Sequence, residues 1–75
     1  MIATGRIDMI AQTSRYIYVL ELKLSNNGGL AAAEQQIKAH QYTEPFKADK
    51  RKVIALAVEL DSEGKGLIDW KEVEA

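Results

Sequence analysis

Two kinds of hydrophobic pattern alternate along this chain. Tyr16-Ile17-Tyr18-Val19-Leu20-Glu21-Leu22-Lys23-Leu24 is rich in aromatic and β-branched residues and free of Gly and Pro, which predicts a β-strand. Ile2 to Gln12 reads similarly, and the polar stretch at Thr13-Ser14 between them predicts a hairpin. Ser25-Asn26-Asn27-Gly28-Gly29 is a connector of residues that favour turns and positive φ. From Leu30 to Gln41 the period changes: three alanines, Glu and Gln supply helix propensity, and Leu30, Ala33 and Ile37 recur at helical spacing. That apolar face is narrow and small, suited to lying close on a sheet. Glu44 precedes Pro45 and is biased away from helix, so the helix is expected to finish by Tyr42 or Thr43.

Phe46 to Arg51 is a polar connection. Val53-Ile54-Ala55-Leu56-Ala57-Val58 is a continuous apolar run of the kind found in strands buried on both faces, although periodicity alone does not separate it from a buried helix. A strand, a crossover helix and a second buried strand make a βαβ unit, expected to be parallel and right-handed. Asp61 to Gly66 reads as a turn, and Leu67 to Val73 as an added edge strand with Trp70 as its anchor. The expected class is α/β, with a mixed sheet built from a hairpin, a crossover helix and a parallel buried strand.

Seventy-five residues make one small domain, below the size at which a single core is comfortably stable unaided. With 47% hydrophobic and 28% charged residues the chain is globular rather than disordered. Ten basic residues against eleven acidic ones give a formal net charge of −1, which argues against avid non-specific nucleic-acid binding, because such binding depends on neutralising phosphates. The absence of cysteine excludes disulfides, thiolate metal sites and cysteine nucleophiles. No segment approaches the roughly eighteen apolar residues of a membrane span, and the N-terminus lacks the regions of a signal peptide. The expectation is a soluble cytoplasmic protein with no membrane partner.

The charges on the hairpin carry the candidate chemistry. Side chains alternate faces along a strand, so Glu21 and Lys23 share one face roughly 7 Å apart while Leu22 points the other way. With Thr13-Ser14 at the tip, Asp8 falls opposite Val19 and diagonal to Glu21 on that face, and the two carboxylates converge within reach of one hard cation. A loop one residue longer would place Asp8 on the opposite face. Acids and lysines on strands are usually solvated, and a same-face ion pair is worth little. Here, however, Ile17 and Val19 make the shared face apolar, and charges abutting such a face are costly unless paired or metal-bound.

Gly5-Arg6-Ile7-Asp8, Glu21-Leu22-Lys23, a helix carrying Gln36-Ile37 and Tyr42, then Glu44-Pro45-Phe46 and Arg51-Lys52-Val53, form an ordered set. Together they resemble the PD-(D/E)XK nuclease superfamily, and more narrowly the branch found as the C-terminal domain of bacterial AAA-ATPase-like proteins. The similarity covers nearly the whole chain, so the resemblance implies one nuclease-like domain over residues 1–75, as a fragment or truncated form, with a restriction-endonuclease-like mixed sheet and an AAA-ATPase-like domain in the full-length context. It also implies metal-dependent hydrolysis of phosphodiester bonds in nucleic acid, with DNA the expected substrate and RNA the open alternative. On this likeness Asp8 and Glu21 ligate Mg²⁺ or Mn²⁺, the backbone carbonyl of Leu22 completes the protein ligands, and Lys23 orients or deprotonates the attacking water. Gln36 resembles a helix glutamine that hydrogen-bonds the water or a phosphate. Such chemistry has a physical ground, since a bound cation lowers the pKa of water and polarises phosphate.

Two departures from the family pattern stand out. The fold usually begins with a helix, often bearing another acid, and none precedes Met1, which implies a bare sheet face and self-association as a homodimer. RecB-like relatives place a tyrosine four residues after the glutamine; here that position is His40, and Tyr42, six residues on, is expected to point elsewhere on a helix.

Other features have plainer readings. His40 reads as a surface or packing residue, although it shares a helix face with Gln36. Lys47, Lys50, Arg51 and Lys52 form a solvated charged loop, and Tyr16, Tyr18 and Trp70 suit a core or interface. Asp61 to Glu72 partly fits a calcium-binding EF-hand loop, but Lys65 occupies a position that needs an oxygen ligand, and only three residues follow Glu72. The alternative to an enzyme is a catalytically inactive nuclease-fold module for DNA docking or self-association.

Overall fold

A computed structural model describes residues 8–74 of the chain. Strands β1 (Met9–Gln12) and β2 (Tyr16–Leu24) form an antiparallel hairpin, and a 3-10 turn at Ser25–Asn27 leads into helix α1 (Gly29–His40). A second 3-10 turn, Glu44–Phe46, precedes β3 (Lys52–Leu60), and β4 (Leu67–Val73) returns antiparallel along it. The sheet order is β1-β2-β3-β4, with β2 and β3 parallel. The apolar run at Val53 to Val58 is therefore a strand. The part of the expected first strand that precedes Asp8, including Gly5-Arg6-Ile7, lies outside the described residues.

The hairpin register differs from expectation. Met9 pairs with Leu20, Ile10 with Val19 and Gln12 with Ile17, so the tip is Ser14-Arg15 rather than Thr13-Ser14. Thr13 causes the shift: its N–H donates to the Tyr16 carbonyl at 2.8 Å, and its Oγ1 accepts from the Tyr16 N–H at 2.9 Å. Closing the turn with its side chain leaves the Thr13 carbonyl for Arg51, whose Nη1 donates to it at 3.1 Å. Because the slip moves each pairing by two residues, side-chain parity survives and Asp8 stays on the Glu21 face.

Alternation along β2 sends Ile17, Val19 and Glu21 beneath α1, where they meet Ala55 and Ala57 of β3, Ala33 and Ile37 of α1, and Val73. Small residues on both sides let helix and sheet approach closely. The helix starts without a side-chain N-cap; instead Glu59 reaches over from β3, and its Oε1 accepts the Leu30 N–H at 3.2 Å. Only glycine suits position 29, which has φ +59°, since a Cβ there would lie 2.9 Å from the Glu59 carboxylate.

The other sheet face carries Tyr18, Leu20 and Leu22 of β2 with Ile54, Leu56 and Val58 of β3, and no described helix covers it. Trp70 pairs with Val58 on this face and is 57% exposed, so it is no anchor for the core. Its neighbour Lys71 points the opposite way, donating to Glu34 of α1 at 3.0 Å.

Candidate metal centre

The site is built where the core pattern of β2 is interrupted by charge. Glu21 takes the next inward position after Ile17 and Val19 and is only 3% exposed. Its Oε1 accepts from the Tyr42 hydroxyl at 2.8 Å, and its Oε2 lies 3.7 Å from Lys23 Nζ. Continuing the hairpin register beyond Met9 brings Asp8 beside Glu21. Asp8 Oδ2 accepts the Leu22 N–H at 3.0 Å. Because the N–H and C=O of a strand residue leave on the same edge, the Leu22 carbonyl is directed to the Asp8 side as well.

Burial pushes the Glu21 carboxyl above its ordinary pKa, and the neighbouring Asp8 carboxylate pushes the same way, while the Tyr42 hydrogen bond and the Lys23 charge pull against them. Tyr42 is itself 1% exposed, and its phenol is pushed up to about 12 by burial and by the Glu21 carboxylate. It is therefore a proton donor to Glu21 across the neutral range. The Gln36 side chain is a hydrogen-bonding neighbour of the same phenol. A groove of ≈ 390 Å³ opens beside these groups, lined by Lys23, Ala32, Gln35, Gln36 and Ala39.

The structure thus gathers Asp8, Glu21, Lys23 and Gln36 around one end of the β1–β2 hairpin. Tyr42 joins them, against the expectation that it would point elsewhere. The helix stops at His40, Gln41 takes a left-handed conformation at φ 49°, and the chain turns Tyr42 inward, where its ring stacks on His40 at 6.4 Å. A continuous helix would have carried it past the site. No sequence signal marks this turn, because glutamine is an uncommon left-handed residue.

Two adjoining carboxylates, backed by a backbone carbonyl, form an all-oxygen donor set suited to a hard divalent cation. Among the described residues no group of three or more His, Cys, Asp or Glu side chains is placed to hold a metal. Two of the loop cations are held in ion pairs. Arg51 is bonded bidentately to Asp49, holding that carboxyl down to about 2, and Lys47 pairs with Glu44 at 3.1 Å.

Residues 1–70 match the family described as the PD-(D/E)XK nuclease superfamily. The chain belongs to that superfamily, and its mixed four-strand sheet with one parallel pair and a single described helix fits a restriction-endonuclease-like fold. No curated protein and no solved structure matches it. No helix among the described residues is long and apolar enough to cross a membrane.

Proposed function

We propose that this domain is a Mg²⁺- or Mn²⁺-dependent nuclease acting on DNA, with Asp8, Glu21 and the Leu22 carbonyl as metal ligands. The observation that carries the reading is the convergence of Asp8, Glu21 and Lys23 on one sheet face beside an open groove. Two carboxylates brought together at the edge of an apolar core are unfavourable by themselves, and a cation offsets that cost. When bound, the cation supplies Lewis acidity toward the phosphate and toward water. Lys23, 3.7 Å from Glu21, orients the attacking water and offsets negative charge that builds on the phosphoryl oxygens. Gln36, on the groove wall, hydrogen-bonds the water or a phosphate oxygen.

Calorimetric titration with millimolar Mn²⁺ and a DNA cleavage assay test this reading. Glu21→Gln keeps the side-chain shape and removes a ligand charge, so Mn²⁺ affinity falls markedly. Lys23→Met leaves Mn²⁺ binding intact and abolishes turnover. Equal Mn²⁺ binding by wild type and Glu21→Gln, or equal cleavage rates, would refute the assignment. The apolar face that no described helix covers favours a second reading, a module that docks or self-associates without turnover. Metal-dependent cleavage separates the two.

A further inference from the structure

We infer that Tyr42 is a positioning residue of the metal centre, turned into place by the left-handed Gln41 so that its hydroxyl holds Glu21 Oε1 and leaves Oε2 directed to the cation side. This rests on the nuclease reading above. The geometry is specific: the Tyr42 to Glu21 bond is 2.8 Å long, both residues are buried, and Glu21 Oε2 is the oxygen facing Lys23.

A ligating carboxylate with two free oxygens samples several rotations about its terminal torsion, which is broad. A buried donor on one oxygen selects a single rotation and fixes which oxygen is presented. Tyr42 suits this role because its hydroxyl, buried with Glu21, already donates to one carboxylate oxygen and leaves the other open. The ring is held by packing among the largest buried side chains of the core and by stacking on His40. Backbone conformation adds a further sign of purpose. A left-handed glutamine is disfavoured, yet it is what ends α1 soon enough for Tyr42 to return to the sheet.

Tyr42→Phe keeps the ring and removes the donor. Mn²⁺ titration of the full chain should show affinity lowered by about 10-fold or more, as for loss of other outer-shell partners, with DNA cleavage lowered in step. The bond itself is read without metal by proton NMR: the Tyr42 hydroxyl proton should be protected and far downfield in wild type, and should move upfield in Glu21→Gln. If Tyr42→Phe proves too unstable, the comparison is made in a Gln41→Gly background, which relieves the left-handed strain and keeps the turn. Wild-type Mn²⁺ affinity and turnover in a folded Tyr42→Phe protein would overturn the inference while leaving the nuclease reading standing. Absence of Mn²⁺ binding by wild type itself would instead overturn that reading, and the positioning role with it.

Discussion

Glu21→Gln should make the metal-free protein more stable at neutral pH, even as it weakens the metal site. In the folded chain the carboxyl is 3% exposed and adjoins Asp8, and its pKa is raised from the ordinary 4.5. Ionisation is thus harder in the folded than in the unfolded state. Its contribution to stability is complete below the ordinary value and is lost as pH rises through the raised one. Opposing terms set the size. Burying a carboxylate costs several kcal/mol after relaxation. The advantage of a charged over a neutral acceptor for the Tyr42 hydroxyl recovers about 1 kcal/mol. The partly exposed Lys23, at 3.7 Å, returns less than about 1 kcal/mol.

The remainder is at least about 1 kcal/mol against the ionised form. Glutamine removes it while keeping an oxygen for Tyr42 and offering an N–H to Asp8. For a domain of this length, about 1 kcal/mol corresponds to a rise of roughly 4–8 °C in melting temperature. Thermal melts followed by circular dichroism in chelator measure it, with wild type and variant compared at about pH 7.5 and about pH 3.5, where Glu21 is protonated in both states. The gain should be present at the higher pH and absent at the lower. Millimolar Mn²⁺ should reverse the ranking, because wild type gains the larger binding energy. A variant less stable than wild type at neutral pH and equal to it in acid would refute the argument, since it would show the buried carboxylate to be favoured as an anion.

Gly29→Ala should destabilise the chain by about 2 kcal/mol, combining the left-handed backbone penalty with the loss of the Glu59 bond to the Leu30 N–H, and denaturant unfolding measures it. An unchanged midpoint would show that Glu59 can vacate the helix start at no cost. The sheet face that no described helix covers should drive self-association, with two sheets packed face to face about 10 Å apart. Sedimentation equilibrium should detect a dimer in the micromolar range that Leu56→Lys dissolves, and a monomer throughout that range would refute it.

Much of this architecture was legible in the sequence because it follows from local periodicity. The two-residue alternation of Tyr16 to Leu24, the helical spacing of Leu30, Ala33 and Ile37, and the unbroken apolar run at Val53 to Val58 each depend on neighbours a few positions away. The shared face of Glu21 and Lys23 follows from the same alternation. Three further features were decided by contacts between segments distant in sequence. The hairpin register depended on Thr13 closing its turn with a side-chain oxygen, a choice among local bonds of similar strength that the Arg51 bond to the freed carbonyl helps tip. Trp70 fell on the uncovered face because its pairing with Val58 set its parity, whatever its size. Tyr42 reached Glu21 only because the helix broke at Gln41, where burial of the ring and a hydrogen bond to a carboxylate outweigh a local preference against the left-handed conformation. Local chemistry determined which elements form and which faces they present; packing decided where they end and which side chains meet.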